Sequence, residues 1–186
     1  VQVIEYFEHE GVRFTIMRVE QTRFVTAGRE MTRSQHVHAQ DVLNRKLEPL
    51  ALASLGDPYP ERFESDGYVL DLLLPGPSRA TLVDKGPPFQ MWNWANNEYA
   101  WLAFDLHAGL HGNPSTLKDT RLVKIDGRAF QVSFAADEST QRFAARLSGF
   151  LSEDMALEVH IMAPSSERRD QIVAGIATIR VLASPM

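Results

Sequence analysis

The sequence predicts an α+β fold in which a mainly antiparallel sheet, built from hairpins, carries two or three packed helices. Three observations favour this class. Short runs with apolar residues at every second position are typical of half-buried strands, and turn residues such as Asp-Gly join them. Two other segments repeat apolar residues at helical spacing behind a Ser or Thr. The length of 186 residues suits a single domain, residues 1–186.

The composition narrows the class of protein. With 44% hydrophobic and 23% charged residues, the chain resembles ordinary globular proteins. Its formal net charge is -5, and its 19 basic residues are scattered among 24 acidic ones. This balance argues against a nucleic-acid partner and suits a basic protein partner. No cysteine is present, which excludes disulfides, thiolate zinc sites and thiol nucleophiles. No apolar run approaches the roughly 18 residues that a membrane span needs.

The amino-terminal run "VIEYFEHEGVRFTIMRVE" predicts two short strands around a Glu-His-Glu-Gly turn, because Val12, Phe14 and Ile16 alternate with other residue types. The chain begins at Val1, without a charged and then apolar leader. This start fits a mature exported protein whose signal peptide has been removed, and a trimmed chain explains it equally well.

A helix is predicted from about Arg33, because Thr32 and Gln35 stand at capping-box spacing and apolar residues follow at the helical repeat. We expect an interruption near Pro49, whose ring cannot continue the hydrogen-bond ladder, and an end at Gly56.

Residues 56–90 contain six of the ten prolines of the chain. The sequence therefore predicts that this region is mostly loop, with one short strand in "YVLDLLL".

The stretch "WNWANNEYAWLAFDLHAGLH", residues 92–111, holds all three tryptophans. If an Asn-Asn pair forms a two-residue hairpin turn, the register pairs Trp94 with Tyr99 and Trp92 with Trp101. One face of the hairpin then carries four aromatic side chains.

This aromatic face has three open interpretations. It covers a core, because large aromatic residues usually lie inside; it recognises a protein, because Trp and Tyr are common interface anchors; or it stacks on a sugar. We expect core positions for the tryptophans at 92 and 101, and recognition from the loop end of the second strand. The candidate partner-binding residues are Asp105, His107, His111, Trp94 and Tyr99.

Two histidine pairs raise the question of a metal site. His107 and His111 have the spacing of two zinc ligands on one helix face, but glycine and proline interrupt the segment and no glutamate lies between them. His36 and His38 diverge by about 200° on the predicted helix. Because a metal site needs three or four converging ligands, we expect no metal and no cofactor.

The sequence contains no nucleophile elbow, phosphate-binding loop or dinucleotide fingerprint. We therefore assign no catalytic residue and favour a protein without enzymatic activity.

The carboxy-terminal part gives the clearest pattern. "TRLVKIDGRAFQVSF" predicts a hairpin with Asp126 and Gly127 at its turn. "STQRFAARLSGFL" fits a short helix that buries Phe143, Leu147 and Phe150. The inward face of the hairpin carries the apolar residues Val123, Ile125, Phe130, Val132 and Phe134.

The last two elements are a strand and a helix. "MALEVHIMAP" predicts a strand whose inward residues are aliphatic, with Glu158 and His160 on its other side. Ser165 or Ser166 is expected to cap a helix in "SERRDQIVAGIATI". The apolar stripe of this helix contains Ile172, Val173 and Ile176.

Residues 120–181, with "KIDGRAFQVSF", "LEVHIMAP" and a closing helix that ends in "IATIRV", resemble the closing half of small Mog1/PsbP-type modules. In those modules a hairpin and a strand are followed by a helix that packs back on the sheet. The resemblance covers about a third of the chain and rests on element order. The amino-terminal half carries no matching signature.

Modules of this type are similar to bacterial non-enzymatic proteins, including secretion-associated chaperones and periplasmic immunity proteins that neutralise type VI effectors. The resemblance implies a partner-binding protein and, more narrowly, an exported immunity protein bound to a secreted effector, with a cytoplasmic location as the alternative. The other class of function is a small hydrolase or carbohydrate-binding protein that uses the aromatic face with Asp105, His107 and His111.

Overall fold

A computed structural model describes residues 2–9, 12–19, 22–27, 32–65, 68–77, 79–85, 88–94, 98–105, 118–137, 142–151 and 156–183. Within these ranges the chain forms thirteen strands and two helices. The strands are β1 (Gln2–His9), β2 (Val12–Val19), β3 (Thr22–Ala27), β4 (Tyr59–Ser65), β5 (Tyr68–Leu74), β6 (Arg79–Lys85), β7 (Pro88–Trp94), β8 (Glu98–Asp105), β9 (Lys118–Ile125), β10 (Arg128–Asp137), β11 (Arg142–Phe150), β12 (Ala156–Ala163) and β13 (Arg180–Ala183). The helices are α1 (Arg33–Asn44) and α2 (Ser166–Ile176).

The strands form three sheets, in the orders β1-β2-β3, β6-β7-β8-β12-β11-β10-β9 and β13-β5-β4. Every pair of neighbouring strands is antiparallel. In the seven-stranded sheet, β6 to β8 form one meander, and β9 to β12 form another that starts at the far edge and returns to pair with β8. The predicted mainly antiparallel architecture is confirmed, and the described part of the chain contains two of the two or three helices expected.

The two strands predicted at the amino terminus are confirmed as β1 and β2, where His9 pairs with Val12. Arg13 and Glu8 lie opposite each other and form an exposed ion pair, with Arg13 Nη2 3.0 Å from Glu8 Oε1. The third strand of this sheet, β3, was not predicted.

The capping box at the start of α1 is confirmed. The Gln35 backbone N–H donates to Thr32 Oγ1 at 3.3 Å, and the Thr32 N–H donates to Gln35 Oε1 at 3.0 Å. These bonds satisfy backbone donors that have no partner inside the helix, so α1 begins at Arg33 as expected.

The expected end of this helix is wrong, because α1 stops at Asn44 and not at Gly56. The buried Asn44 side chain donates to the Ala129 carbonyl at 2.8 Å and accepts from Gln131 Nε2 at 2.8 Å. Residues 48–50 then run beside β9, where Leu122 exchanges two backbone hydrogen bonds with them. Sheet pairing to β9 therefore replaces further helix.

The prediction that residues 56–90 are mostly loop is also wrong, because β4, β5, β6 and β7 begin there. The predicted strand in "YVLDLLL" is confirmed as β5. Four of the described prolines in this region occupy positions where a missing N–H is tolerated. Pro60 lies in β4, an edge strand, Pro88 begins β7, and Pro75 and Pro77 connect β5 to β6.

The short helix expected in "STQRFAARLSGFL" is a strand, β11. It pairs with β10 on one side and β12 on the other. Phe143 and Leu147 are four residues apart, a spacing that fits one helix face and one strand face equally. Ala145 and Leu147 are two residues apart and both are buried in the core, and burial of every second residue is typical of a strand.

The Asp126–Gly127 hairpin turn is confirmed. Ile125 pairs with Arg128, and both turn residues have positive φ, 49° at Asp126 and 76° at Gly127. This pair of angles is typical of a type I′ turn, whose twist matches that of the flanking strands.

We expect Gly127→Val to lower the free energy of unfolding by about 1 to 3 kcal/mol, because a β-branched residue resists positive φ. A Cβ added at Gly127 meets no atom within 4 Å, so the loss measures backbone conformation and not a clash. Gly127→Asn, which tolerates this region, should lose less in urea denaturation. Equal losses for the two variants would show that the conformation of the turn is not the cause.

The core lies between α2, one face of β9 to β12, and β5. Most of the large side chains predicted to point inward from the carboxy-terminal elements are buried there, and Phe134 is partly buried against them. Two of the predictions are wrong: Phe143 is only half-buried and lies outside this cluster, and Phe150 is buried on the opposite face of the sheet, because positions 143 and 150 of a strand face opposite sides. Ser165 caps α2, with Ser165 Oγ accepting from the Arg168 N–H at 3.1 Å. Val37 of α1 packs with Phe150 and Ala156 on the opposite face of the seven-stranded sheet.

Candidate functional site

The residues proposed from the sequence are divided between two strands and an undescribed segment. Trp94 ends β7, and Tyr99 and Asp105 lie in β8. The backbone of Asp105 pairs with Ala156 of β12. His107 lies outside the described residues, as does the histidine at 111.

The predicted register of the aromatic hairpin is wrong by one residue. Trp94 pairs with Glu98, and Trp92 pairs with Ala100 and not with Trp101. Three residues separate the paired ends of β7 and β8, where a two-residue turn was expected. Because a shift of one residue exchanges the two faces of a strand, the expected face with four aromatic side chains does not form.

Among the described residues, no group of three or more His, Cys, Asp or Glu side chains is arranged to hold a metal ion.

A cleft with a volume of about 890 Å³ lies beside the sheet β13-β5-β4, which we call the small sheet. Its walls come from four parts of the chain: β4, β5, the β9–β10 turn, and the segment from the end of α2 into β13. The charged residues that line it are Glu61, Arg62, Asp71, Lys124, Asp126 and Arg180.

A row of charges crosses the small sheet beside this cleft. Asp71 of β5 lies opposite Arg62 on one side and Arg180 on the other. Arg62 Nε donates to Asp71 Oδ1 at 2.7 Å, and Arg62 Nη2 donates to Asp71 Oδ2 at 2.9 Å. This two-point geometry fixes the guanidinium in the plane of the carboxylate.

The hydrogen bond from Arg62 lowers the pKa of Asp71 below its ordinary value, and the positive charges of Arg62 and Arg180 act in the same direction. A lowered pKa means that the folded state favours the carboxylate. The contribution of this pair to stability is therefore fully present above the pKa that Asp71 has in the unfolded chain. It is lost as the pH falls through the pKa of Asp71 in the folded protein.

We expect a carbon-detected NMR titration to place the Asp71 midpoint below that of an ordinary aspartate, and Arg62→Gln to move it upward. The midpoints of Asp71 in the wild type and in Arg62→Gln are compared under the same buffer and salt conditions. If Asp71 titrates at the same pH with and without the arginine, the bidentate pair is absent in solution.

One hydroxyl connects the end of α2 to β5 at the floor of the cleft. Thr178 Oγ1 accepts from the Leu73 N–H at 2.8 Å and donates to the Gly175 carbonyl at 2.7 Å. On the other wall, Asp126 Oδ2 accepts from the Val181 N–H at 3.4 Å. Hydrogen bonds between segments that are distant in sequence thus connect the walls of the cleft.

Exposed apolar side chains concentrate on the small sheet. Four large hydrophobic residues are exposed in the described part of the chain: Leu52 (50%), Tyr59 (50%), Leu73 (37%) and Leu182 (41%). Three of them belong to β4, β5 and β13. Since Leu70, Leu72 and Leu74 of β5 are buried, Leu73 points to the opposite side. We call Arg62, Asp71, Leu73, Arg180 and Leu182 the outer face of the small sheet.

A second polar cluster lies on the seven-stranded sheet, on the face opposite α2. One oxygen of Glu158 contacts both Arg146 and His160, with His160 Nε2 at 2.9 Å. The arginine and the glutamate are mostly buried, whereas His160 is partly exposed. The sequence placed Glu158 and His160 on one side of a strand, which is confirmed, but it missed Arg146 because β11 was expected to be a helix.

Sequence reasoning also missed the cleft, and part of its signal was present. "YVLDLLL" places one aspartate among five aliphatic residues, and an acidic residue at that position of a half-buried strand marks the solvent side. The residues that lie opposite this aspartate, Arg62 of β4 and Arg180 of β13, could not be identified, because the sequence analysis predicted neither of these strands.

No helix in the described ranges is long and apolar enough to cross a membrane. Comparison with models of known protein families gave no match for this chain, and comparison with curated proteins gave none either.

Proposed function

We propose that this chain is a partner-binding protein that docks a second protein on the outer face of the small sheet. The observation that carries the proposal is the concentration of exposed apolar side chains around the Arg62–Asp71 pair. Exposed leucines beside an arginine held by a carboxylate combine the apolar contacts and polar anchors that are common at protein interfaces.

The form of the surface supports the same proposal. The small sheet has three strands, and the outer face is continuous with a cleft of about 890 Å³. Leu73 and Leu182 lie on either side of the charged row, because Leu73 follows Asp71 by two residues and Leu182 pairs with Val69, two residues before Asp71. A partner that covers both leucines therefore also covers the row.

We further propose that the partner is a secreted bacterial effector and that this chain is an exported immunity protein acting in the periplasm. This finer proposal is supported by the resemblance of residues 120–181 to Mog1/PsbP-type modules and by the absence of a complete catalytic motif in the sequence. The acidic balance of the whole chain suits long-range attraction to a basic effector.

The general proposal is tested by capture of a partner from extracts of the source organism, with three immobilised proteins. The wild type and Leu52→Asp should capture the same protein in similar amounts, because Leu52 is equally exposed but lies outside the small sheet. The double variant Leu73→Asp/Leu182→Asp should lose it. Equal capture by the double variant, with unchanged melting temperature, rules out this face as the docking surface.

The finer proposal is tested by co-expression with a toxin encoded beside this gene, with both proteins directed to the periplasm. Restored growth with the wild type, and continued killing with Leu73→Asp/Leu182→Asp, is the expected result. Killing that the wild type does not prevent removes the immunity role and leaves the general proposal to the capture experiment.

A further inference from the structure

The two edges of the small sheet determine how a partner can approach it. Among the described strands, β4 and β13 are its edge strands. A partner can bind to an edge strand by adding a strand of its own, which pairs with the backbone N–H and C=O groups that point away from the sheet. The hydrogen bonds of β5 and β13 show which residues carry these groups.

On the β4 edge, one backbone donor is missing. The Leu73 N–H donates to Thr178 Oγ1 at 2.8 Å. Thr178 precedes β13 and continues its register, because Arg180 lies opposite Asp71, so the Leu73 N–H points away from β4. Residues that lie opposite each other in an antiparallel pair point their backbone groups either toward each other or away from each other. Pro60 lies opposite Leu73 and therefore turns its backbone to the outer edge, where its ring leaves no N–H to donate.

On the β13 edge, one backbone donor is already occupied. The Val181 N–H donates to Asp126 Oδ2 at 3.4 Å, so it points away from Leu70, which lies opposite Val181 on β5. Asp126 belongs to the turn between β9 and β10, and its carboxylate reaches the edge from the seven-stranded sheet. β13 is also only four residues long. Short edge strands and groups that cover an edge are features by which proteins prevent strand addition.

The face between these edges carries side chains that can meet a partner directly. Leu73 and Leu182 are exposed on either side of the Arg62–Asp71 pair, and two hydrogen bonds hold the guanidinium of that pair in place. Side-chain contacts of this kind are strongest with a partner surface whose own side chains are already positioned. A folded surface provides such positions, whereas an extended segment gains most of its affinity from backbone pairing.

We propose that the partner docks on the outer face with a folded, preformed surface that contains an apolar patch, and that it does not add a strand to either edge. This inference rests on the proposed function, because the outer face is the docking surface named there. An extended segment on β4 would meet the missing donor at Pro60, and one on β13 would have to displace Asp126. Docking on the face requires neither.

The first test compares the intact partner, captured on the wild type, with overlapping synthetic peptides that cover the sequence of that partner. Binding of each to the wild type is measured by isothermal titration calorimetry. No peptide should come within about a hundredfold of the affinity of the intact partner, because a fragment lacks the preformed surface. A peptide that binds more tightly than this limit would overturn the inference.

The second test restores the two edge donors. Pro60→Ala supplies an N–H on the β4 edge. Asp126→Gly releases the Val181 N–H without backbone strain, because glycine tolerates the positive φ of 49° at this position. Asp126→Asn is the matched control, since its side chain keeps an oxygen that can accept the hydrogen bond.

Neither Pro60→Ala nor Asp126→Gly should bind the intact partner more than about threefold more tightly than Asp126→Asn and the wild type do, because the edges take no part in docking. Tighter binding than this by either variant would show that a strand is added and would overturn the inference. The melting temperature of each variant confirms that it is folded.

The two proposals fail in different ways. If Leu73→Asp/Leu182→Asp still captures the partner fully, the docking surface itself is wrong. If that variant loses the partner, while a peptide replaces the intact partner or a restored donor tightens binding, the docking surface stands and the folded partner surface is wrong.

Discussion

Phe130→Ala is expected to lower the free energy of unfolding by about 3 to 5 kcal/mol, because the ring is fully buried and its removal leaves a cavity. Phe130 lies on β10 opposite Gly149 of β11, and a Cβ added at Gly149 would stand 2.6 Å from the ring atom Cδ1. The glycine thus leaves the space that the ring occupies. Urea denaturation measures the loss, and Leu52→Ala, at an exposed position, should change stability by less than about 0.5 kcal/mol.

The same pair offers a sharper test of β11. Gly149→Ala alone should destabilise the protein, because the new methyl meets the ring. In the background of Phe130→Ala, the same change fills part of the cavity and should restore some stability. A double-mutant cycle with independent, additive effects would place Gly149 away from Phe130 and would argue against the strand that replaces the expected helix.

Gly175→Ala is expected to cost about 3 kcal/mol of stability, at the upper end of what an overpacked contact costs. An added Cβ would lie 2.7 Å from the Leu73 carbonyl oxygen of β5 and 3.4 Å from Pro75 Cδ. Backbone cannot rotate away as a flexible side chain can, so α2 must move from the small sheet. The shift also disturbs the Thr178 bridge at the floor of the cleft.

The control for this variant is Gly76→Ala, where the nearest atom to the added Cβ is Arg168 Nη2 at 3.6 Å. An ordinary contact with the end of a flexible side chain should leave the melting temperature nearly unchanged or raise it slightly. If Gly175→Ala melts at the same temperature as the control, the close approach of α2 to β5 does not exist in solution.

Local chemistry made several elements predictable. The Asp-Gly turn, the capping box of α1 and the Ser165 cap of α2 each depend on residues within a few positions of one another, and each was found where the sequence placed it. The inward residues of β12 followed from strict alternation. The residues that determine such features lie within the segment itself.

Features that depend on distant partners were not predictable. β13 pairs with β5 across more than a hundred residues, and nothing in "IRVLAS" indicates its partner. β11 was ambiguous, because Phe143 and Leu147 fit two periodicities and only the neighbouring strands decide between them. The cleft brings together four such segments, so its charged residues had no shared signal in the sequence.

The aromatic hairpin failed for a narrower reason. A two-residue turn and a three-residue connection give registers that differ by one, and Asn-Asn is compatible with either. Trp92 and Trp101 therefore changed partners with a single step in the pairing. The pairing of Trp94 with Tyr99 was wrong for the same reason.

The central claim is that a protein partner covers the outer face of the small sheet, and hydrogen–deuterium exchange with the captured partner tests it most directly. The complex should protect peptides from β4, β5 and β13, namely 59–65, 68–74 and 180–183, and leave α1 at 33–44 unchanged. Protection confined to residues 98–111, with β4, β5 and β13 exchanging as in the free protein, would contradict this account and would favour the loop end of β8 as the binding site.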